Sequence, residues 1–235
     1  MLDYDEIKFH WIGHDGFRIV GNDKDNAEKT IYIDPFQLTK TQHSKNDADI
    51  LLISHNHYDH LSLDDLKQVI SQKTSIIAAK ECIEQLKDLD VKEVKGVEPG
   101  DKLNIQNIPI QIVAAYNINK KFHPMADGKV GYVLTLNNHL IYHTGDTDII
   151  PEMSSVSPDI AFVPVSGTYV MTAEEAARAI NEYIKPKHLA IPMHYGSIIG
   201  TEKDAERFAE LVKICHTKIL ERELSLIHIS EPTRH

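Results

Sequence analysis

The sequence predicts a mixed α/β fold in which β-sheets are covered by helices. Strand-like segments dominate the first half of the chain, and the second half alternates strand-like with helical segments. The chain has 235 residues, enough for one compact domain with a sizeable core. No linker rich in proline, glycine or serine divides it, and no internal repeat is found. We therefore expect one domain.

The first half begins with short runs rich in β-branched and aromatic residues. Strands are predicted over residues 8–12, 17–20, 30–34, 49–54 and 75–79. The polar run 21–28 marks a turn. The continuous apolar run DILLIS (49–54) predicts a strand that leads directly to His55.

Helical signals divide these strands from one another and recur later. Helices are predicted over residues 62–70, 81–89, 172–184 and 201–215. Ser62 is a candidate N-cap of the first helix. Thr172 and Glu175 have the spacing of a capping box at the start of the third.

The second half contains further strand signals. Strands are predicted over residues 103–106, 108–115, 130–136, 140–146, 159–166, 188–193 and 218–221. The dipeptide Asn137-Asn138 between two of these strands favours a tight hairpin turn.

The composition limits the classes of function. The net charge of −10 disfavours broad binding to nucleic acid, because phosphates would meet a repulsive average field. No apolar run approaches the ~18–20 residues of a membrane span, and the N-terminal segment has no export signal. Only Cys82 and Cys215 are present, so no disulfide framework is expected and a cytoplasmic setting is the simplest prediction.

The final segment, residues 224–235, is predicted not to belong to the fold. It follows a run that already has the pattern of a closing strand, and its sequence LSLIHISEPTRH resembles a translated transposase sequencing adaptor. We interpret it as read-through, with a natural polar tail as the alternative. The predicted domain then covers residues 1–223.

Four candidate metal ligands lie in the motif SHNHYDHL. They are His55, His57, Asp59 and His60. Imidazole and carboxylate suit first-row divalent metals, and no cysteine lies nearby. His55 and His57 end a strand and direct their side chains to one side, whereas Asp59 and His60 lie in the following turn. One short loop could therefore serve two adjacent metals, and a polar surface loop is the alternative.

Two later strand ends each add a candidate ligand. In HTGDTD (143–148), Asp146 lies beside a glycine, so its carboxylate can approach a metal pair and bridge it. In PMHYG (192–196), His194 directly follows a strand. Either residue alone could be structural, but a site built from several loops requires ligands at strand ends.

With these motifs the sequence resembles the metallo-β-lactamase-fold hydrolases. Within them it is most similar to the short single-domain branch that includes the ascorbate-phosphate lactonase. The resemblance is carried by WIGHDGF (11–17), IDPF (33–36), SHNHYDHL (54–61), YHTGDTD (142–148), FVPVSGTYVMTAEEAA (162–177) and PKHLAIPMHYG (186–196). The order of these ligands is specific for the superfamily and says little about the substrate.

The resemblance implies a four-layer αββα sandwich with two divalent metal ions, zinc first and manganese or iron as alternatives. The implied ligands form two sets bridged by Asp146: His55 and His57 for one metal, and Asp59, His60 and His194 for the other. Asp34 in IDPF would support the ligand loop from behind. His14 matches a histidine commonly seen near the pocket.

The sequence departs from the family pattern at the third histidine of the first metal. Alignment of AAYN (114–117) places Asn117 there, and the nearest histidine is His123. We expect His123 to replace it, with Asn117 or water as the alternative. Thr168 stands where relatives often have histidine, so their substrate contacts do not transfer.

These residues predict a hydrolase in which a metal-bridging hydroxide cleaves a small ester, lactone or phosphodiester. Asp59, Asp146 and His194 are the expected catalytic residues, and Asp59 would orient the nucleophile. The acid that protonates the leaving group is unassigned. Its candidates, each with a structural alternative, are His14, His143 and Tyr195.

The substrate is expected to be a small molecule. Lys120 and Lys121 could attract an anionic group, or could form a solvated loop face. A phosphodiesterase of RNA or DNA, an iron-dependent oxidoreductase and an inactive metal-binding scaffold are the competing functions. Nucleic-acid and membrane partners are not expected, and the oligomeric state is open.

Overall fold

A computed structural model describes residues 1–39 and 43–222. The segment interpreted as read-through, residues 224–235, lies outside the described residues, so that interpretation stays a prediction. The described strands form two seven-stranded sheets that share one hydrophobic core. In the described part of the chain, no helix is long and apolar enough to cross a membrane.

The first sheet contains strands β1 to β7 in chain order. They are β1 (Leu2–Tyr4), β2 (Ile7–Gly13), β3 (Gly16–Asn22), β4 (Glu28–Ile33), β5 (Ile50–Ile53), β6 (Ser75–Ala79) and β7 (Glu93–Val97). Strands β1 to β4 are antiparallel, and β4 to β7 are parallel. Parallel neighbours need crossover connections. Helix α1 (Leu63–Val69) and helix α2 (Ile83–Leu86), which follows a 3₁₀ turn (Lys80–Cys82), supply two of them.

The second sheet repeats this plan. Its strands are β8 (Lys102–Ile105), β9 (Ile108–Ala114), β10 (Val130–Leu136), β11 (His139–His143), β12 (Ile160–Pro164), β13 (Leu189–Met193) and β14 (His216–Thr217). Strands β8 to β11 are antiparallel and β11 to β14 are parallel. Helix α3 (Ala173–Arg178), which continues as a π-helical turn (Ala179–Ile184), and helix α4 (Glu202–Leu211) supply two of the three crossovers, and a segment with a 3₁₀ turn (Pro151–Ser155) connects β11 to β12.

The inner faces of the two sheets pack against each other, so the helices cover the outer faces. Phe162 of the second sheet lies with its ring centroid 4.3 Å from Phe17 and 5.7 Å from Phe9 of the first. The hydroxyl of buried Tyr132 crosses between the sheets and donates to the carbonyl of Ile53 at 2.6 Å. The four-layer αββα sandwich implied by the resemblance is therefore confirmed.

Local signals explain several elements. Thr172 and Glu175 form both hydrogen bonds of the predicted capping box at the start of α3. Asn137 and Asn138 have φ angles of +47° and +64°, as a type I′ hairpin turn between β10 and β11 requires. Both sequence predictions are confirmed.

Several predicted boundaries are wrong, and two strands were not predicted. Helix α4 ends at Leu211 rather than at residue 215, because the Asn181 amide donates to the Leu211 carbonyl at 3.0 Å and accepts from the Lys213 amide at 2.9 Å. The closing strand is β14, not residues 218–221. Strands β1 and β7 were not predicted, because short, charged strands at a sheet edge lack the apolar signal.

Candidate metal centre

Loops from both sheets meet at one edge of the sandwich. Strands β2, β4 and β5 run in the same direction in the first sheet, as do β9, β11 and β13 in the second. Their carboxyl ends therefore lie at the same edge of each sheet. The amide of Val130 donates to the carbonyl of Ser54 at 3.1 Å and joins the two edges. Each predicted ligand follows one of these strand ends.

Three histidines form the first cluster of candidate ligands, which we call the first group. His55, His57 and His123 each place one ring nitrogen within 4.8 Å of the others. His57 Nδ1 lies 3.0 Å from His55 Nε2 and 3.1 Å from His123 Nε2. Three imidazole nitrogens around one point are a suitable donor set for a zinc-like divalent ion.

Asn117 supports the loop of His123 instead of pointing at this centre. The Asn117 side-chain amide donates to the carbonyl of Phe122 at 2.8 Å and to that of Tyr169 at 2.6 Å. The Asn117 backbone amide donates to the carbonyl of His123 at 2.7 Å. The structure thus brings His123, and not Asn117, to His55 and His57.

A second group of candidate ligands lies beside the first. His14, Asp59, His60 and His194 place one ligand atom each within 4.8 Å of one another. His14 Nε2 lies 3.0 Å from Asp59 Oδ2, and His60 Nε2 lies 3.8 Å from the same oxygen. His14 therefore belongs to this group. It lies closer to the other candidate ligands than the sequence predicted, which placed it only near the pocket.

Asp146 lies between the two groups. Its Oδ2 is 3.5 Å from His123 Nε2 in the first group. The same oxygen is 3.2 Å from His194 Nε2 and 3.6 Å from His60 Nε2 in the second. One carboxylate oxygen within reach of both groups is the arrangement that a bridging ligand requires.

Hydrogen bonds behind the centre orient its imidazoles. Asp34 is fully buried, and its carboxylate accepts from the Ser54 amide at 2.8 Å, from the Ser54 hydroxyl, and from His60 Nδ1 at 2.8 Å. Ser54 Oγ also lies 2.9 Å from His55 Nδ1, and Ser166 Oγ lies 2.8 Å from His194 Nδ1. These contacts occupy Nδ1 of three rings and leave Nε2 to face the centre.

The electrostatics of the chain without metal favour neutral imidazoles in the first group. Burial lowers the pKa of His55, His57 and His123, so these rings carry a free lone pair near neutral pH. Burial also lowers the pKa of His14 to about 4. His60 differs: burial opposes its charge, but the carboxylates of Asp146, Asp34 and Asp59 together raise its pKa to about 9.

Buried polar atoms without a protein partner test whether a cation fits here. Among the described residues, His60 Nε2 and Asp146 Oδ1 are buried and have no hydrogen-bond partner in the chain. Leaving such groups unpaired would cost about 1–3 kcal/mol each. Their position among nitrogen and oxygen donors fits divalent cations held by the first group, the second group and Asp146.

Two of the predicted candidates for a leaving-group acid lie away from the cavity. His143 accepts from the Gly145 amide at 3.2 Å and donates from Nε2 to the Asp15 carbonyl at 3.0 Å, so both ring nitrogens are occupied. Tyr195 is buried against Trp11, with ring centroids 4.7 Å apart. His14 is the one of the three that lines the cavity.

Asp15, which was not among the predicted site residues, lies beside His60 and Asp146. Its carboxyl group is fully buried. One oxygen lies within 4.8 Å of ligand atoms of His60 and Asp146. Burial and the neighbouring Asp146 raise the pKa of Asp15. Its position directly after His14 was the available signal.

The centre forms the floor of a cavity of about 460 Å³. The lining residues are His14, Asn56, His57, Tyr58, Asp59, Phe122, His123, Asp146, Tyr169, His194, Ile198 and Ile199. Neither Lys120 nor Lys121 is among them. Lys120 instead forms an ion pair with Asp148, and Lys121 is exposed.

Comparisons with known proteins agree with this geometry. The profile of the Beta-lactamase superfamily domain matches residues 8–194. A UPF0173 metal-dependent hydrolase of Staphylothermus marinus is 32% identical over 213 residues, which cover 86% of this chain and 90% of that protein. A UPF0173 metal-dependent hydrolase of Staphylococcus aureus is 28% identical over 92% of this chain and 96% of its own length.

Solved structures show the same fold. A crystal structure described as a candidate metal-dependent hydrolase of Parabacteroides distasonis has a TM-score of 0.76 and 29% identity, and covers 91% of this chain and 92% of its own. A metallo hydrolase of Ignicoccus hospitalis has a TM-score of 0.73 and 22% identity, over 92% of this chain and 95% of that one. The chain belongs to the β-lactamase superfamily, and within it to the UPF0173 metal-dependent hydrolases.

Proposed function

We propose that this chain is a binuclear metal-dependent hydrolase that uses water to cleave a small ester, lactone or phosphodiester. The observation that carries the proposal is the position of Asp146 Oδ2, which lies 3.5 Å from His123 of the first group and 3.2 Å from His194 of the second. A single-metal site would not require a carboxylate between two sets of donors.

The proposed ligands are the three histidines of the first group, the members of the second group other than His14, and the carboxylate of Asp146 between them. The first ion would be held by His55, His57 and His123, the second by Asp59, His60 and His194, and both by Asp146. Zinc is the first choice for this nitrogen-rich set, with manganese or iron as alternatives. Bound there, the ions would supply Lewis acidity and lower the pKa of a water molecule.

Asp59 is proposed to orient the attacking water. It lines the cavity, and hydrogen bonding to His14 helps lower its pKa to about 2 although burial acts in the opposite direction. Asp59 is therefore a carboxylate near neutral pH and can accept a hydrogen bond from water at the cavity floor. His14 Nε2 lies 3.0 Å from Asp59 Oδ2 and fixes the direction of this carboxylate.

The cavity limits the size of the substrate. A volume of about 460 Å³ lies within the usual range of small-molecule sites. The lining contains no lysine or arginine among the described residues, so nothing in it would neutralise a nucleic-acid backbone. A small molecule is therefore the proposed substrate, hydrolysed in a cytoplasmic setting.

Metal content and hydrolysis test the proposal together. Protein purified without added metal would be analysed by plasma mass spectrometry before and after incubation with zinc, manganese or iron, and assayed against lactones, esters and phosphodiesters. We expect about two ions per chain and turnover that is lost on chelation. His188→Ala is the matched control, because this exposed histidine lies outside both groups.

One result would overturn the proposal. If wild-type protein supplied with each metal bound at most one ion per chain, the two-metal arrangement would be wrong. Two ions without hydrolysis of any member of the panel would instead favour the inactive scaffold.

A further inference from the structure

The mouth of the cavity has an apolar rim. We define this rim as Tyr58, Phe122, Tyr169 and Ile198, whose exposures are 67%, 44%, 36% and 41%. All four line the cavity whose floor carries the candidate ligands. The described residues include eight exposed large hydrophobic side chains, and half of them lie at this one opening. Such a concentration beside a reactive centre points to a binding surface.

The rim is held in place by the ligand loop. The rings of Phe122 and Tyr169 meet edge-on, with centroids 5.2 Å apart. The carbonyls of both residues accept hydrogen bonds from the side-chain amide of Asn117. Phe122 also directly precedes His123, so its position is fixed together with that of a candidate ligand.

Apart from the proposed metal ions at its floor, the cavity has no lysine or arginine in its described lining to hold an anionic group at the mouth, and exposed Lys121 lies outside the lining with its ammonium 6.0 Å from the Phe122 ring centroid. Lys120, one of the two basic residues predicted near the mouth, pairs with Asp148, whose carboxylate also accepts from the Ile118 amide at 2.9 Å. Lys129 is buried and pairs with Glu81 at 3.0 Å. In the described lining, charge comes from carboxylates and imidazoles, and no lysine or arginine could pair with a phosphate.

We propose that the substrate is a neutral ester or lactone with an apolar acyl or alkyl group that packs on the rim. This inference rests on the proposed hydrolase function and narrows its substrate class. The occupant is a small molecule, because the rim is continuous with a partly open cavity of about 460 Å³ that contains the candidate ligands. The hydrolysable group would lie at the floor and the apolar group at the mouth.

The proposal predicts how rate depends on chain length. A fully buried methylene contributes about 0.8 kcal/mol, or about fourfold in binding. Because the rim stays partly open, we expect kcat/KM to rise about two- to fourfold per methylene until the cavity is filled. The metal-loaded protein would be assayed with 4-nitrophenyl acetate, butyrate and hexanoate, and with bis(4-nitrophenyl) phosphate as the anionic comparison.

Two rim variants and one control test the assignment. In Ile198→Ser and Tyr169→Ala, the ratio of kcat/KM for hexanoate to that for acetate should fall at least fourfold, about the value of one buried methylene. Tyr169→Ala keeps the backbone carbonyl that Asn117 contacts. Ile214→Ser removes an equally exposed isoleucine outside the cavity lining and should leave the ratio unchanged.

The outcomes separate this inference from the proposed function. Turnover with a flat chain-length dependence, or preference for the phosphodiester, would overturn the apolar substrate and leave the hydrolase intact. If no compound were cleaved, the proposed hydrolase function would be wrong. Binding of 1-hexanol, measured by saturation-transfer NMR, would then test whether the rim binds an apolar group. Loss of hexanol binding in Ile198→Ser would support it, and no binding to wild type would overturn it. A rim variant that changed only the sedimentation coefficient would show that a second copy covers the rim, and would also overturn the proposal.

Discussion

Replacing Asp34 with asparagine should weaken metal binding at both groups, although Asp34 belongs to neither the first nor the second group. Its carboxylate accepts from His60 Nδ1 at 2.8 Å and from the Ser54 hydroxyl, whose oxygen lies 2.9 Å from His55 Nδ1. With Asp34 ionised, both imidazoles carry their proton on Nδ1. Nε2 of each ring then faces the centre, and in His60 it offers a lone pair once the second ring proton is released.

The Asp34→Asn variant keeps the shape of the residue and reverses one donor–acceptor relation. Asp34 has a φ angle of +42°, a conformation that asparagine also adopts readily. An amide NH₂ opposite His60 Nδ1 would favour the other tautomer and place a proton on Nε2. Loss of such an outer contact lowers metal affinity by about 10- to 100-fold, or about 1.4 to 2.7 kcal/mol.

The assay is a competition titration of metal-free protein with zinc and a chromophoric chelator, with the thermal midpoint measured in parallel. Asp88→Asn, at an exposed aspartate in the segment after α2, is the matched control and should bind zinc like wild type. If folded Asp34→Asn bound both ions within twofold of the wild-type affinity, the tautomer argument would be wrong. If Asp34→Asn did not fold, Ser54→Ala would test the same relay to His55 alone.

Three further predictions follow from the same geometry. His123→Ala should bind about one ion per chain instead of about two by plasma mass spectrometry, because it removes a third of the first donor set; two ions in this variant would refute the role of His123. Because the pKa of His60 is raised to about 9 in the metal-free chain, metal must displace its proton, so apparent affinity should increase as pH rises towards about 9. Calorimetric titration of the metal-free protein with zinc at pH 7.5, in buffers of different ionisation enthalpy, should show that at least one proton is released per chain. Release of no proton would contradict the protonated state of His60. Phe162→Ala should destabilise the fold by about 3–5 kcal/mol in denaturant titrations, because a fully buried ring between the sheets is lost; a loss below about 1 kcal/mol would mean that the core collapses into the space.

The sequence predicted the parts of the fold that local physics determines. The apolar run of β5 forms a strand, as predicted, and is buried at every position. The capping box of α3 and the Asn137-Asn138 turn depend on neighbouring residues alone, so they could be identified without a tertiary structure. The end of α4 depends on Asn181, which lies thirty positions from Leu211, and no local pattern contains that contact.

The same distinction applies to the centre. The spacing of His55, His57, Asp59 and His60 indicated ligands because one loop holds all four. The burial of Asp15 beneath Asp146 depends on how two sheets meet, so its carboxylate was not selected. Likewise, no spacing rule shows that Lys120 pairs with Asp148. The ion pair with Asp148 argues against the prediction that Lys120 attracts an anionic group of the substrate.

Asn117, which the resemblance places at a family histidine position, has a structural role that leaves three imidazoles in the first group. The Asn117 amide binds the carbonyls of Phe122 and Tyr169, and its backbone binds the carbonyl of His123. One residue thus fixes both a candidate ligand and two members of the apolar rim. Asn117→Ala should therefore both weaken zinc binding and reduce the dependence of kcat/KM on the acyl chain length of the ester. Ile198→Ser should reduce that dependence and leave zinc binding unchanged. If Asn117→Ala changed only one of the two properties, ligand and rim would not share this support.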